Sequence, residues 1–239
     1  MRLTGVCFDA TGTLIETTEN VGEVYHRVAF EFGIDLPAWR LEEAFGRILQ
    51  QAPARGGTGD SFAARQTNET QWWFARIRET FQATDSTARF EDFQGFAQTL
   101  FDDYRSAGAW RLRRGAEPML RELRRRGYAL AIVSNFDYRL PKILEGLEIA
   151  SLFEAIVIPS SVGQAKPHRA LFTAAAQSMR LPKEDLASLA YLGDDSRATL
   201  RAIAELGLTV IDANQIKDLA ELTNQLPTAA TLPPSNTPR

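Results

Sequence analysis

The sequence has little cysteine and no long apolar run. A single cysteine among 239 residues excludes an internal disulfide bond and fits a reducing compartment such as the cytosol. No apolar run approaches the ~20 residues that a membrane-spanning helix needs. Residues 1–3 run directly into a predicted strand, which leaves no room for a signal peptide. Together these absences predict a soluble cytoplasmic protein without a membrane partner.

The sequence also lacks an excess of either charge. Its 27 Lys and Arg residues nearly balance its 30 Asp and Glu residues, and the net charge is −3. This balance argues against a protein that binds nucleic acid electrostatically. The basic cluster within residues 111–126 is interpreted as the solvated face of one helix.

Short apolar runs alternate with helical patterns in the second half of the chain. Continuous apolar runs of this length are typical of strands buried on both faces of a parallel sheet. Strand and helix in alternation predict an α/β fold with a doubly wound parallel sheet. The runs are Ala129–Val133, Ala155–Ile158, Leu189–Leu192 and Leu208–Ile211, and the helical patterns are 115–126, 138–146, 168–179, 197–206 and 215–224.

The region from 17 to 112 has no comparable strand runs. Its many aromatic residues are interpreted as the core of a helical bundle rather than as a ligand-binding box. We therefore predict a helical domain at 17–112 inserted into an α/β core made of 1–16 and 113–226, with a disordered tail at 227–239. The predicted helices of the insertion are Val21–Phe32, Leu41–Gln51, Thr67–Thr80 and Phe90–Tyr104.

An aspartate follows the first predicted strand. The apolar run Val6–Phe8 ends at Asp9, and Gly12 soon after it permits a tight turn. Such a sequence delivers a carboxylate to the C-terminal edge of a parallel sheet, where open α/β folds bind ligands. A carboxylate placed there can accept a phosphoryl group as an aspartyl-phosphate. Alone, the same aspartate is equally compatible with a cap on a turn or helix.

Polar residues suited to phosphoryl transfer also occur at three later places in the chain, two of them directly after predicted strands and one in a loop. The hydroxyl and N–H groups of Ser134 and Asn135 are suited to holding an oxygen of a transferring phosphoryl group. Lys166 offers the fixed ammonium that phosphoryl transfer needs. Asp194 and Asp195 would repel each other without a cation, and hard carboxylate oxygens suit Mg²⁺. The simpler alternative for these two carboxylates is an acidic N-cap of the following helix.

In this order the four signals resemble the motifs of the haloacid dehalogenase-like (HAD) superfamily of hydrolases, over roughly residues 3 to 212. The resemblance implies a Rossmann-like core with strand order 5-4-1-2-3, counted along the core, and a helical cap inserted after the first strand. It also implies Asp9 as a covalent nucleophile and Lys166 as the neutralising cation. The implied phosphoryl ligands are Ser134, Asn135 and Lys166, and the implied Mg²⁺ ligands are Asp9, the Thr11 carbonyl, Asp194 and Asp195.

The last motif can be aligned in two ways. The common family form has a further aspartate five residues after Asp194, where this chain has Thr199. The form found in the sugar phosphomutase branch reads Glu/Asp-Asp-Ser, and Asp194-Asp195-Ser196 fits it without strain. In the second alignment Asp195 is the direct metal ligand and Asp194 supports it. Both alignments stay open at this point.

The chain departs from the family at Thr11, which stands where the family has its general acid, and so resembles a cluster of HAD-like proteins that also lack that aspartate. A positioned acid or base usually contributes ~10²–10⁴-fold to the rate, which is roughly 3–5 kcal/mol of barrier. A substrate such as an acyl phosphate or a phosphoanhydride needs no proton on its leaving group, and P-type ATPases share the Asp-x-Thr-Gly-Thr motif. Alternatively Glu16, Glu19 or Glu23 supplies the acid, although acids in a first helical turn are the simpler interpretation.

Two other functions remain as alternatives. The protein is either a weak catalyst that binds a phosphorylated ligand or a protein, or a 2-haloacid dehalogenase, since those enzymes also carry Asp-Ala-x-Gly-Thr-Leu. Dehalogenases need no metal and lack adjacent aspartates, so the sequence favours a Mg²⁺-dependent hydrolase of a small phosphorylated metabolite. We expect a monomer or homodimer. Asp137, Arg139 and Arg197 either reach the site from adjacent loops or lie at the surface, and surface positions are the favoured interpretation.

Overall fold

The computed structural model describes residues 3–53, 58–182 and 186–226, and the predicted tail at 227–239 lies outside them. No helix in these ranges has both the length and the apolar character to cross a bilayer. Seven strands occur in the described residues: β1 (Gly5–Phe8), β2 (Ile15–Thr17), β3 (Trp110–Leu112), β4 (Ala129–Val133), β5 (Ala155–Val157), β6 (Leu189–Gly193) and β7 (Thr209–Asp212).

Five of these strands form a parallel sheet in the order β7-β6-β1-β4-β5, which is the predicted order. The central strand β1 is buried on both faces, because its alternating side chains enter two different cores. Val6 and Phe8 pack in one apolar cluster, and Cys7 packs in another on the opposite face. Burial raises the pKa of the Cys7 thiol to about 12, so this lone cysteine is a core residue. The predicted doubly wound α/β fold is confirmed.

Helices cover both faces of the sheet and form the inserted region. The first cluster includes side chains of α5 and α6, and the second includes side chains of α8 and α9. The helices in the described residues are α1 (Val21–Glu31), α2 (Ala38–Gln51), α3 (Phe62–Thr84), α4 (Phe93–Asp103), α5 (Ala116–Arg125), α6 (Leu140–Gly146), α7 (Pro159–Val162), α8 (Arg169–Ser178), α9 (Arg197–Glu205) and α10 (Leu222–Gln225).

The predicted helix at 215–224 is wrong. This stretch contains a 3₁₀ turn at Leu219–Glu221 followed by the single turn of α10. The side chain of Asp218 accepts a hydrogen bond from the N–H of Ala220, and this local bond favours a turn over a continuous helix. Apolar spacing alone did not reveal that competition.

Helix α3 is longer than its apolar pattern predicted. It begins at Phe62 rather than Thr67, because the hydroxyl of Ser61 caps it by accepting from the N–H of Ala64. Apart from the exposed Phe62, the added residues 62–66 are polar or small, so they carried no helical periodicity in the sequence. An N-cap serine of this kind typically stabilises a helix by about 1 kcal/mol.

The strands β2 and β3 were not predicted. They pair antiparallel, with Ile15 opposite Leu112 and Thr17 opposite Trp110, where the chain enters and leaves the helical region. Three-residue strands are too short to show an alternating pattern. The predicted borders at 16/17 and 112/113 fall within and at the end of this ribbon, and the division into domains stays a prediction.

The four helices α1–α4 enclose an aromatic core. Phe90 stacks on Phe96 with ring centroids 4.2 Å apart, and Phe81 meets Phe96 edge to face at 5.1 Å. Phe81 and Phe96 belong to one buried cluster together with Leu100 and Phe101, and the partly buried Phe90 packs against this cluster. Interpretation of the aromatic residues as bundle core is therefore correct for these side chains. We call this helical region, α1 to α4, the cap.

Candidate active site

Three side chains from distant parts of the chain meet at the carboxyl edge of the sheet. Asp9 follows β1, Lys166 lies in the loop before α8, and Asp195 comes just after β6. The Nζ of Lys166 lies 2.6 Å from Oδ2 of Asp9 and 3.0 Å from Oδ2 of Asp195. The Lys166 side chain is fully buried, and those of Asp9 and Asp195 are 12% and 13% exposed. The fold therefore places one buried cation between two nearly buried carboxylates.

Both the backbone and the charge of Lys166 are fixed. Its main-chain N–H donates to Oδ1 of Asn135 at 2.7 Å, and its carbonyl accepts from Nδ2 of the same side chain at 3.4 Å. The peptide bond between Lys166 and Pro167 is cis. Burial acts to lower the pKa of Lys166, but the charges of Asp9 and Asp195 outweigh burial and raise that pKa above its ordinary value. Lys166 is consequently a cation at neutral pH.

Tyr191 belongs to the site and was missed by sequence analysis. This residue lies in β6. Its hydroxyl donates to Oδ2 of Asp195 at 2.5 Å and accepts from Nζ of Lys166 at 2.6 Å. Burial, followed by the charges of Asp9 and Asp195, raises the pKa of Tyr191 well above its ordinary value. The phenol is therefore a neutral donor that holds Asp195 in place. The sequence showed only an aromatic residue in an apolar strand, and no local signal marks its hydroxyl.

Asp9 is oriented by one contact to each of its oxygens. Oδ1 accepts from the main-chain N–H of Ala10 at 2.7 Å, while Oδ2 faces Lys166. Hydrogen bonds to a charged acceptor are stronger than those between neutral groups, so the two contacts fix the carboxylate firmly. A carboxylate that is fixed beside a cation at a strand end has the placement of an enzyme nucleophile.

The turn after Asp9 packs against the turn after β6. Thr13 Oγ1 donates to Oδ1 of Asp194 at 3.0 Å and accepts from the Asp194 N–H at 3.1 Å. Gly12 has a φ of 76°, and a Cβ there would collide with Oδ2 of Asp194. Only glycine fits this position without displacing that carboxylate. The contact brings Asp194 over the loop that carries Asp9.

Arg113 supports the same loop from β3. Its Nη1 donates to the carbonyl of Gly12 at 2.5 Å and its Nη2 donates to the carbonyl of Ile216 at 3.2 Å. Arg111 lies in β3, and Arg113 and Arg114 precede α5, so the interpretation of residues 111–126 as the solvated face of one helix is wrong for these three residues. The contacts of Arg113 depend on the β2–β3 ribbon, which sequence analysis did not foresee.

Asp194 lacks the contact with Lys166 that Asp9 and Asp195 have. Burial and then the negative charge of Asp9 raise the pKa of Asp194, although the hydrogen bond from Thr13 acts in the opposite direction. Asp195, in contrast, is bound to Lys166 and Tyr191. Repulsion between Asp194 and Asp9 is relieved by a cation, so these hard oxygen donors fit Mg²⁺, which takes few carboxylates and keeps several waters. Across the described ranges, no three His, Cys, Asp or Glu side chains are grouped closely enough to hold a metal by themselves.

Comparisons with known proteins show the family to which the chain belongs. A model of the haloacid dehalogenase-like hydrolase family matches residues 3–207. The chain belongs to this family. It is 29% identical over 214 residues to haloacid dehalogenase-like hydrolase domain-containing protein 3 of Bos taurus, which covers 87% of this chain and 80% of that protein.

Two solved structures illustrate the shared HAD fold. The HAD-hydrolase YfnB from Bacillus subtilis, solved bound to magnesium, superposes with a TM-score of 0.73 at 16% identity and covers 95% of this chain and 99% of that chain. A dehalogenase solved with an intermediate complex gives a TM-score of 0.67 at 19% identity, covering 94% and 97%. At such identities the likeness shows the fold alone.

The second HAD motif, at the end of β4, carries Ser134 and Asn135. Ser134 is buried, and its Oγ accepts from the N–H of Phe136 at 3.2 Å. The Asn135 side chain holds the main chain of Lys166, a positioning role that sequence analysis did not foresee. The predicted contacts of both residues with phosphoryl oxygens stay predictions.

The HAD-like aspartates are not helix caps. The N-cap of α9 is Ser196, whose Oγ accepts from the N–H of Thr199 at 3.2 Å. The alternative of an acidic N-cap at Asp194 or Asp195 is therefore wrong. His168 does cap α8, by accepting from the N–H of Ala170, and it has no part in the site.

The loop after the second HAD motif ties the core to the cap. Asp137 and Arg139 form a bidentate ion pair with contacts of 2.8 and 2.7 Å, and both side chains are buried. Trp73 Nε1 donates to Oδ2 of Asp137 at 2.6 Å, and Arg139 donates to the carbonyl of Phe101 at 2.8 Å. The predicted surface positions of Asp137 and Arg139 are wrong, because the cap covers them. Arg197 is exposed, as predicted.

A cavity of about 260 Å³ lies between the cap and the HAD core. Thr11 and Phe136 of the core form part of its wall, and Trp73, Phe101 and other cap residues form the rest. Residues of α1, α2, α3 and α4 line this space on the side of the cap, and no pattern in the sequence predicted it. Thr11, two residues after Asp9, thus forms part of the wall of this space.

None of the three glutamates suggested as substitute acids is among the described residues that line this cavity. Glu16 pairs with Arg111 at 2.9 Å and Glu19 pairs with Arg27 at 3.7 Å, and all four side chains are well exposed. Glu23 is exposed in the first turn of α1, which is the simpler interpretation. The structure gives no support to an acid supplied by these residues.

Proposed function

We propose that this HAD-like hydrolase cleaves a small phosphorylated metabolite through an aspartyl-phosphate on Asp9. The observation that carries the proposal is the contact of 2.6 Å between Nζ of Lys166 and Oδ2 of Asp9. Phosphoryl transfer depends on positioning and on charge stabilisation, and a buried ammonium beside the attacking carboxylate supplies both. Tyr191 and Asp195 support this geometry by fixing Lys166.

The first step is attack of a carboxylate oxygen of Asp9 on phosphorus. The bond between phosphorus and the leaving-group oxygen breaks, and its electron pair departs with the leaving group. Lys166 offsets the negative charge of the transferring group, and Ser134 is suited to donating to one of its oxygens. Thr11 cannot supply a proton, so the leaving group must depart without one. The leaving groups of acyl phosphates and phosphoanhydrides can do so.

The second step hydrolyses the aspartyl-phosphate. A water molecule attacks phosphorus, and the bond from phosphorus to Asp9 breaks. One proton of the water stays on the attacking oxygen of the inorganic phosphate that is released, and the other passes to a phosphoryl oxygen. Since Thr11 offers no carboxylate to take that proton, we expect this step to be slow. Asp9, Asp194 and the main-chain carbonyl of Thr11 are the groups that would hold Mg²⁺, which when bound would neutralise charge on the phosphoryl oxygens. We assign the direct carboxylate contact to Asp194, because Asp195 is engaged by Lys166 and Tyr191.

Mg²⁺-dependent release of phosphate from acetyl phosphate tests the proposed function. A broad screen of phosphorylated metabolites would then identify the substrate. The single buried cysteine and the near balance of charge support cytoplasmic localisation and a small-molecule partner rather than a nucleic acid.

Asp194→Asn is expected to raise the thermal stability of the metal-free protein at pH 7. Because the folded-state pKa of Asp194 is raised, its ionised form costs stability above that pKa, and the cost disappears below the unfolded value of 3.8. We expect Tm to rise by no more than about 2–4 °C, the effect of ~1 kcal/mol in a domain of this size, because Asp194 is only partly buried and solvent screens its charge. Thermal melts from pH 3.5 to 8 should show the gain shrinking as the pH falls.

The same variant should lose most of the stabilisation that Mg²⁺ gives to the wild-type protein, because a ligand stabilises only the state that binds it. An increase in Tm with MgCl₂ that is equal in both proteins would remove Asp194 from the metal site.

Thr11→Asp is expected to raise the hydrolysis of an alkyl phosphate such as glycerol phosphate by about 10²-fold. The new carboxyl group would protonate the alkoxide as it leaves, a contribution typical of general acid catalysis. Thr11→Asn, which has nearly the same size but cannot act as an acid, is the matched control. No gain over Thr11→Asn, in an enzyme that turns over acetyl phosphate, would show that the missing acid does not limit the reaction.

Carbon–halogen hydrolysis is the second candidate. The cavity beside Thr11 favours it, because a halide leaves without a proton and an apolar space suits a haloalkyl group. Asp194, which repels Asp9 in the absence of a cation, favours phosphate chemistry instead. Chloride release from 2-chloropropionate without metal separates the two. The third alternative, a binding module with little catalysis, predicts equal phosphate release by the wild type and Asp9→Asn.

A further inference from the structure

We propose that the cavity between cap and core receives the leaving group of the substrate, and that this group is a compact apolar acyl group. The substrate class is then a short-chain or aromatic acyl phosphate. This inference rests on the proposed function, because it assigns the part of the substrate that leaves after attack by Asp9.

The position of the cavity connects it to the reacting atoms. Thr11 follows Asp9 by two residues in the turn after β1, and Phe136 follows Ser134 by two residues after β4. Both Thr11 and Phe136 line the cavity. A phosphoryl group held between Asp9 and Ser134 would therefore have its leaving group at this end of the cavity.

The size and the chemistry of the walls select the leaving group. Val21, Leu49, Ile77, Leu100 and Trp110 are among the lining residues, and the volume is about 260 Å³. A cavity of ~150 Å³ lined by Leu, Ile and Phe is large enough to bind benzene. A phenyl ring or a chain of four to six carbons consequently fits, whereas a sugar would bury hydroxyls with few partners.

The charge in the cavity is already balanced. Arg139 is the one charged side chain among the described lining residues, and Asp137 holds it in a buried bidentate pair. A guanidinium that is neutralised in this way has little attraction for a second anionic group on the substrate. This makes a dicarboxylate or bisphosphate substrate unfavourable and leaves apolar contact as the main source of affinity.

Tyr104 supplies the polar contact expected for an acyl group. It lines the cavity, and its hydroxyl is buried with no hydrogen-bond partner in residues 3–53, 58–182 and 186–226. Buried polar groups in folded proteins are almost always paired, so an orphan hydroxyl indicates a missing partner. The carbonyl oxygen of an acyl phosphate is an acceptor of the right kind.

Thr11 fits the same substrate class. When Asp9 bonds to phosphorus and the bond from phosphorus to the acyl oxygen breaks, the electron pair remains on a carboxylate. A carboxylate is stable without a proton at neutral pH. The missing general acid therefore does not slow the departure of this leaving group. Threonine carries no charge, so an apolar leaving group can lie beside it.

Binding of phosphonates, which cannot be hydrolysed, tests the cavity without any turnover. Calorimetric titration with methyl-, propyl- and butylphosphonate in MgCl₂ should show Kd falling about fourfold for each added methylene. Leu49→Glu should abolish that trend, since it puts a charge on the wall, and Leu49→Trp should also abolish it by filling the space. Gln50→Glu, which adds the same charge at the next, exposed position, should keep the trend. Equal Kd values for methyl- and butylphosphonate in the wild type would overturn the proposal.

The role of Tyr104 is tested with a matched pair of ligands. Benzoylphosphonate carries a carbonyl where benzylphosphonate has a methylene, and we expect the wild type to prefer the former by about tenfold, as for one hydrogen bond in a buried site. Tyr104→Phe should remove that preference and keep the chain-length trend. A preference that is absent from the wild type, or that survives in Tyr104→Phe, would contradict the assigned contact.

Hydrolysis separates this inference from the proposed function. Tight, chain-length-dependent binding without turnover of benzoyl phosphate would overturn the proposed function and leave the cavity assignment standing. Mg²⁺-dependent turnover of acetyl phosphate with no preference for longer acyl chains would overturn the cavity assignment and leave the proposed function standing.

Discussion

Asp9→Asn is expected to lower kcat for acetyl phosphate by at least ~10³-fold, the largest effect among the variants considered for this protein. An amide of nearly the same shape keeps the packing at the end of β1 but cannot form the acyl-phosphate bond on which nucleophilic catalysis depends. Lys166 keeps its contact with Asp195 in the variant, so the fold should survive. Phosphate release at saturating MgCl₂ measures the loss, and far-ultraviolet circular dichroism checks the fold.

The matched control for this variant is Glu145→Gln, which removes an exposed carboxylate that pairs with Lys142. It should behave as the wild type, because an exposed ion pair contributes little to stability. Equal rates for the wild type and Asp9→Asn would instead mean that the activity is a contaminant or that the protein acts by binding.

Lys166→Met has the second largest expected effect, on both rate and stability. Methionine matches the length of the lysine stem but leaves Asp9 and Asp195 nearly buried without their cation. Removing one partner of a buried ion pair typically costs about 3–5 kcal/mol. The rate for acetyl phosphate should fall by ~10²-fold or more, because the charge of the transferring group is no longer offset. Chemical denaturation and phosphate release measure the two effects.

The pH dependence of this loss has a definite sign. The wild-type pKa of Lys166 is raised, so its stabilising contribution is present at neutral pH and is lost only as the pH rises through that raised value. A double variant, Lys166→Met with Asp195→Asn, should recover stability without recovering activity. A single variant as stable as the wild type at pH 7 would show that the three groups do not interact.

Sequence reasoning located the site because of one physical regularity. The carboxyl ends of parallel strands share an edge, so polar residues after several buried strands must lie near one another. Asp9, Ser134 and Asp195 were found by this rule, although they are far apart in the chain, whereas Lys166 was found through the resemblance of Lys166-Pro167 to a HAD motif. The order of the strands came from the resemblance to the HAD superfamily, and the structure confirms it.

Contacts between residues that lie far apart in the chain could not be predicted from the sequence, because no local pattern marks them. Tyr191 looked like any aromatic residue of a buried strand, yet its hydroxyl completes the site. Asp137 and Arg139 looked like loop charges at the surface, because nothing nearby in sequence shows that Trp73 and Phe101 will cover them. Burial of a charged pair depends on a partner surface, and that surface comes from a segment more than 30 residues away.

The cap illustrates the same limit. Its aromatic content correctly predicted a packed core, since rings such as Phe81 and Phe96 bury large apolar areas. Trp73 and Phe101 are aromatic as well, and they also line the cavity beside Thr11. Aromatic content alone does not show which rings border the cavity, because that depends on how the cap packs against the core.

Trapping the covalent intermediate tests the central claim most directly. The wild-type protein would be mixed with benzoyl phosphate and MgCl₂, quenched in acid, reduced with borohydride and digested for mass spectrometry. The account predicts that the peptide containing Asp9 carries homoserine at this position, the product of a reduced aspartyl-phosphate, and that the signal is absent without substrate. Steady hydrolysis with an unmodified Asp9, or with the modification on another carboxylate, would contradict it.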